Sequence, residues 1–275
     1  MQYILNRCDI LYLQALQNSG VKIVNLYNVI GMRRSVRDFQ MKPIEDAVLI
    51  GLQKYQKDIL GLYPDIPYRI EISCGLEEKK QKRKLFTLKA PYYISFLTTG
   101  SKESFLNAGY IMEELSLYLA TKGIGTCYQG MARIIKEQEE LQEVLVLAAG
   151  YPKKYLYREE AEANRLPLSK VCVFKEEPSK EIMTILKAAS LAPSALNEQP
   201  WRFVVYGNRV HVFMQKEERG LPVMKRMHMI DIGIALNHMM ITAEELWVEA
   251  ELKESDNISS QSFKNNSYIT SLILK

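Results

Sequence analysis

Arg33, Ser35 and Arg37 alternate along GMRRSVRDF, so in an extended segment their side chains share one face. Two guanidinium forks flanking a hydroxyl suit a phosphate or another planar, electron-rich anion. The same residues also compose an ordinary solvated basic turn, and the cluster alone does not choose between the two. A second polar cluster lies in APSALNEQPW, residues 192–201. There Pro193 ends a helix, while Ser194 and Asn197 offer short polar groups and exposed backbone amides of the kind that grip ligands. A plain helix stop with an Asx-type turn would use the same residues, and Trp201 reads as core in either case.

The third candidate is GIGTCYQG, residues 123–130. Gly123 fits a helix C-cap, and Gly130 permits close backbone approach to a flat ligand. Cys127 has no histidine near it in sequence and reads as a small buried side chain, not a nucleophile. The pairs Glu113-Glu114 and Glu244-Glu245 occupy adjacent helical positions, so their side chains diverge and form no acid/base dyad. There is no Ser-His-Asp order and no G-x-x-x-x-G-K-[ST] loop. The charge run EEKKQKRK, residues 77–84, reads as a solvated loop. An enzyme built on this sequence would therefore draw its chemistry from a cofactor.

The elements that must position these residues are written twice. A helix opens after Pro43 and another after Pro178; Pro67-Tyr68-Arg69 and Pro200-Trp201-Arg202 each lead into a strand. Long amphipathic helices then run from Asn107 to about Lys122 and from Asp231 to about Trp247. The three landmarks recur in order at offsets of 135, 133 and 124 residues, the pattern of an internal duplication. The halves span 31–175 and 176–275, after an extension of residues 1–30 that carries a short amphipathic helix. Their loops are complementary. Where the first half has Arg33-Arg34-Ser35, the second has EEPSKE; where the second has APSALNEQPW, the first has LGLYPDIP. One composite site shared between two halves is the expectation.

Composition narrows the classes. Of 275 residues, 47% are hydrophobic and 25% charged, ordinary values for a soluble globular protein with enough apolar material for a sizeable core. A net charge of +4 is too weak to argue for a nucleic-acid partner. Four dispersed cysteines without a C-x-x-C pair read as reduced thiols of a cytoplasmic protein, and three histidines lack metal-ligand spacing. No apolar run approaches the ~18 residues needed to span a bilayer. The N-terminus, interrupted by Arg7 and Asp9, lacks the form of a signal peptide.

LYNVIGMRRSVRDF resembles the N-terminal signature of the flavin-dependent nitroreductase family, R-R-S-x-R-x-F. AASLAPSALNEQPWRFVV resembles its second signature, A-P-S-x-x-N-x-Q-P-W. NAGYIMEELSLYLATKGIGTCYQG is similar to its central dimer helix and following turn, and AAGYPKK with NRLPLSKVCVF to its last strand and basic tail. The usual family member carries both signatures in one chain and pairs two chains. Here they are divided between halves, as in a single-chain subgroup whose one polypeptide imitates the dimer. The resemblance implies an α+β nitroreductase-like fold, with two fused half-repeats forming an intramolecular pseudo-dimer whose helices pack around β-sheets.

It also implies FMN as cofactor, NAD(P)H as reductant and a small-molecule electron acceptor, a quinone, nitroaromatic or similar conjugated compound, served by ping-pong turnover. The other reading is a flavin- or small-ligand-binding protein without turnover. Such a protein would act as a monomer or weak homo-oligomer, without nucleic acid or membrane. By resemblance, Arg33 and Ser35 meet the phosphate and ribityl chain, with Arg34 in the same cofactor-binding set. Arg37 approaches the N1/O2 edge, the backbone amides of Gln129 and Gly130 the N5/O4 edge, and Arg165 the phosphate. Pro193, Ser194, Ala195 and Asn197 complete the cradle. Ala163 stands where the family often has a second basic residue, and residues from about 255 onward have no clear counterpart.

Overall fold

A computed structural model describes residues 25–76, 88–130, 141–216, 221–254 and 265–275. The helix expected within residues 1–24 and the charge run 77–84 lie outside them. Among these described residues, helices α1 (Leu26–Met32), α2 (Asp46–Tyr55), α3 (Lys102–Thr121), α4 (Leu168–Val171), α5 (Lys180–Ser190) and α6 (Pro222–Glu245) accompany nine strands. The strands are β1 (Tyr68–Cys74), β2 (Tyr92–Thr98), β3 (Gly125–Tyr128), β4 (Gln142–Gly150), β5 (Cys172–Phe174), β6 (Trp201–Tyr206), β7 (Arg209–Gln215), β8 (Ala250–Lys253) and β9 (Asn266–Leu274).

Local chemistry sets the helix ends. Ser101 caps α3 by accepting from Ser104 N at 3.1 Å, so α3 starts five residues before the expected Asn107. Pro222 occupies the first turn of α6, which starts nine residues before Asp231. Apolar periodicity marks the buried middle of these helices, whereas the caps lie in the polar residues upstream. At the far end of α3, Gly123 adopts φ +81, and the amides of Gly123 and Ile124 bond the carbonyls of Ala120 and Leu119. This Schellman closure is the C-cap role expected of Gly123. Ser179 caps α5 through Ile182 N at 3.2 Å.

Two antiparallel ladders follow one plan. The first sheet runs β1-β2-β4-β3, and the second runs β5-β6-β7-β9-β8, with β5 added in parallel at the edge beside β6. The register shifts at Phe96/Leu97 in the β2·β4 pair and at Val212/Phe213 in the β7·β9 pair, the same place in each sheet. The tail that had no counterpart in the sequence supplies β9, an inner strand hydrogen-bonded to both β7 and β8.

Helices α3 and α6 cross at the centre, where Gly109 and Gly233 bring the two backbones together. A Cβ on Gly109 would strike Ile230 O, and one on Gly233 would strike Leu106 O. One continuous core joins both sheets through this crossing and includes Phe96, Leu115, Trp201, Phe203 and Ile234. Trp201 is fully buried, as expected. Helix α6 is enclosed on nearly every side from Met227 to Ala243, which explains its weak amphipathicity. Among the described residues no helix is long and apolar enough to cross a membrane.

Candidate functional site

Helix α1 ends at Arg33, whose extended backbone (φ −63, ψ 146) starts the segment carrying the basic cluster. Isolated bridges tie this segment to its neighbours: Arg33 to Tyr157, Ser35 to Thr126 and Phe39 to Pro152. The alternation holds in part. Ser35 and Arg37 line a cavity of about 340 Å³. Arg33 is buried beside α3, with its Nε 3.7 Å from Glu113 Oε1, because that carboxylate is fully buried and draws the guanidinium inward. Arg34 is exposed and lies 6.0 Å from the Tyr155 ring centroid, off the cavity wall.

The opposite wall comes from the 193–200 loop, where Pro193, Ser194, Ala195 and Leu196 face the cavity. Leu196, Asn197 and Gln199 all hold positive φ (52, 59 and 51), so three left-handed residues without glycine fall within one short turn. The strain is held by many hydrogen bonds. Ser194 Oγ accepts from Gln199 N at 3.0 Å, Leu166 N donates to Gln199 Oε1 at 2.7 Å, and Glu198 meets His228 of α6 at 2.7 Å. The amide of Ala195 donates to both carboxyl oxygens of Asp231 at 3.1 Å.

Three expected contacts are spent within the protein. The Asn197 side chain accepts from Arg165 Nη1 at 2.8 Å and donates to Asn164 O at 3.0 Å, so it ties the loop to the segment before α4 and does not line the cavity. Arg165, which also donates to Leu191 O, stands behind the loop with it. The Gln129 amide donates to Val146 O at 2.8 Å, because the β3·β4 ladder continues one residue past Tyr128. Its side chain is likewise engaged with Leu88 N and the carbonyls of Cys127 and Tyr128. Gln129 and Gly130 nonetheless both line the cavity, and a Cβ on Gly130 would stand 3.0 Å from Met227 Cε. Cys127 is buried, and burial pushes its thiol up, against the pull of Arg37 and Arg33.

Several residues to which the sequence assigns no part in the site stand at it or just behind it. Glu113 accepts from Tyr128 OH at 2.7 Å and from His238 Nε2 at 2.9 Å, while His238 Nδ1 faces Ala188 O at 3.0 Å. Both ring nitrogens of His238 therefore face acceptors. Burial alone would raise the Glu113 carboxyl, but Arg33, His238 and Tyr128 together hold it below its ordinary value. Asp231 behaves oppositely. Burial, then the nearby Glu198, holds its carboxyl well above the ordinary value against the Ala195 amide. The one signal for Asp231 in sequence was a lone carboxylate in the apolar run MIDIGIALNHMM.

Arg158 and Arg165 gather around Arg33, on the segment whose Ser35 and Arg37 line the cavity. Arg158 N donates to Met32 O, next to Arg33, and burial followed by repulsion from Arg33 and Arg34 lowers the Arg158 guanidinium. Burial, then Arg158 and Arg33, push Arg165 down to about 10. Arg33 Nη2 and Arg158 Nε and Nη2 are buried without a hydrogen-bond partner among the described residues. Like charges gathered around donors with nothing to bond are the setting for an anion.

The cavity is thus polar at Ser35, Arg37, Ser194 and Asp231, and apolar at Leu145, Leu196, Val223, Met224, Met227, Ile230 and Ile234. Its size lies at the low end of the range for small-molecule sites. Among the described residues no cluster of His, Cys, Asp or Glu could hold a metal ion.

Comparison with known proteins agrees with this architecture. No curated protein matches the chain. A solved structure described as a "putative nitroreductase" from Thermotoga maritima superposes over 92% of this chain and 94% of that one, with a TM-score of 0.62 at 22% identity. A nitroreductase-like family protein from Bacillus cereus matches 58% of this chain and 98% of that one at 20% identity and a TM-score of 0.44. An FMN-dependent nitroreductase from Clostridium difficile R20291 matches 49% and 94% at 16% identity and a TM-score of 0.40. The profile of the family described as "Putative TM nitroreductase" matches residues 25–243. That span takes in both cavity walls and the α3/α6 crossing, and the chain belongs to this nitroreductase family of oxidoreductases and has its α+β fold.

Proposed function

We propose that the chain is an FMN-dependent oxidoreductase that takes electrons from NAD(P)H and passes them to a quinone, nitroaromatic or similar conjugated acceptor. The observation that carries this reading is the composite cavity. Ser35 and Arg37 meet Pro193, Ser194 and Ala195 across it, near Arg33 and Arg158, some of whose buried N–H groups have no partner among the described residues. Those donors fit a phosphate, and Gly130, without a side chain, permits the close backbone approach that a planar ring system requires.

In this reading Arg33 and Arg158 retain the phosphate, and Arg165, whose side chain is spent on Leu191 O, Asn164 O and Asn197, adds positive charge from behind the loop. Arg158 supplies the second basic group that Ala163 does not, and Arg34 contributes at longer range. Bound FMN supplies the two-electron redox chemistry. Arg37 offers fixed positive charge on the cavity wall, where negative charge develops on reduction. Ser194 already accepts from Gln199 N, so its hydroxyl proton is free to donate to a ligand. With the Gln129 amide spent on Val146 O, Gly130 provides the close backbone approach. Burial pushes the Asp231 carboxyl well above its ordinary value, which favours the uncharged form at the cavity wall. Both signatures come from one polypeptide, so the halves 31–175 and 176–275 act as a fused pair and need no second copy.

The test is direct. Purified protein is incubated with excess FMN, desalted, and mixed anaerobically with NADH or NADPH. Retained yellow colour that bleaches, and returns on adding a quinone or nitroarene, is the expected result. Colour that never bleaches identifies a flavin-binding protein without turnover, and no retained flavin rejects the reading.

A further inference from the structure

Leu196 is held in a conformation that its own contacts do not explain. It adopts φ +52, a region that leucine rarely enters and that costs free energy, yet its side chain is 82% exposed. Burying the side chain would offset that cost, and at 82% exposure the fold supplies little of that burial. Here the side chain stands at the mouth of the cavity, on the loop whose Ser194 lines the interior. Beside the loop, which Ala195 and Glu198 tie to α6, Val223, Met224 and Met227 of that helix also line the cavity with apolar side chains. None of these four side chains carries a charge or a strong donor, so nothing among them would offset desolvation of a carboxylate or sulfonate. Methionine adapts its shape and contacts aromatic rings favourably.

We infer that Leu196, together with Val223, Met224 and Met227, forms the acceptor-binding wall and selects uncharged, fused aromatic compounds. The strained loop holds Leu196 out over the mouth so that its side chain is buried by the incoming acceptor and not by the protein. The inference rests on the proposed function for turnover, but not for binding.

Titration calorimetry with 1-nitronaphthalene and 4-nitrobenzoate, on the protein as purified and after FMN loading, tests it. Leu196→Gly and Leu196→Asn should weaken 1-nitronaphthalene about tenfold, the loss expected when a partly buried leucine is removed. Affinity for 4-nitrobenzoate should change less than about twofold, since the lost contact is apolar. Leu196→Met should bind 1-nitronaphthalene nearly as wild type does. Because asparagine tolerates left-handed backbone, Leu196→Asn should keep or raise Tm and retain FMN like the wild type. Unchanged 1-nitronaphthalene affinity in both variants overturns the inference, as does a marked fall in the Tm of Leu196→Asn, which would make the leucine structural. A wild-type protein that takes up no FMN rejects the flavin reading instead, and the nitronaphthalene series on that flavin-free protein still decides the role of Leu196.

Discussion

Gly109 and Gly233 contact each other's helices reciprocally. The Cβ position of Gly109 meets Ile230 O and Ile234 N, and that of Gly233 meets Leu106 O and Tyr110 N. The two sets have the same spacing, so each helix presents one surface to the other. Either glycine to alanine should therefore cost about 1–3 kcal/mol or more, because backbone must move and not merely a side chain. The two substitutions share a crossing, so their costs in urea unfolding should be non-additive. Strictly additive costs would show that the helices accommodate each side chain separately.

Glu113→Gln should be the most destabilising polar substitution in the core. It leaves Arg33 and His238 buried without their carboxylate, a loss of about 3–5 kcal/mol. Because the folded Glu113 carboxyl lies below its ordinary 4.5, its contribution is present above that value and is lost as pH falls through the folded one. The gap between wild type and variant in urea unfolding should be widest near neutrality and close on acidification. A gap independent of pH would remove the carboxylate from the explanation.

Asp231→Asn should show the reverse trend. Its folded carboxyl is held well above the ordinary 3.8, so the folded state binds the proton more tightly than the unfolded chain. The stability this contributes is complete below the ordinary value and fades as pH rises through the folded one. Asparagine imitates the protonated form and can still accept from Ala195 N. Measured from mildly acidic to alkaline pH, the Tm of the variant should gain steadily on wild type. A constant offset would mean that Asp231 is ionised in the fold.

Arg158→Ala should separate FMN from riboflavin. If its Nε and Nη2, which have no partner among the described residues, hold the phosphate, the FMN Kd should rise about tenfold, the value of a charge-assisted hydrogen bond of moderate strength. The riboflavin Kd should stay as in wild type, and equal losses for both ligands would place Arg158 elsewhere.

Flavin released by denaturation after reconstitution should approach one per chain. At the place corresponding to the Ala195 loop, Asn107 holds both the amide and the carbonyl of Tyr63, at 2.9 and 2.8 Å. Tyr63 is itself half-buried, and where the first half has Arg33 the second offers exposed Glu176 and Glu177. A ratio near two would defeat the composite-site argument.

Sequence made Ser35, Arg37 and the Pro193–Ala195 turn legible because each needs only its own neighbours: an alternating extended segment, or a proline after a helix. The destination of Arg33 was not legible. Its partner Glu113 is 80 residues away, and only the rotation of α3 decides that this carboxylate points inward while Glu114 turns to Tyr55 and Asn237. The Gln129 amide was misjudged for a similar reason, since whether a ladder runs one residue further depends on the strand beside it. Strand β9 escaped recognition because nothing local marks which two strands will flank it.

The cavity walls come from residues 35–145 and 193–234 of one chain, so their meeting is an intramolecular event. A site split between two separate subunits weakens on dilution, since its halves part as their concentration falls. Covalent connection replaces that dependence with a fixed effective concentration. Occupancy of this cavity should then depend on ligand alone, down to the scarcest expression level. Each substitution also alters one wall only, whereas in a symmetric pair it would alter both sites at once, so the two walls are free to diverge independently.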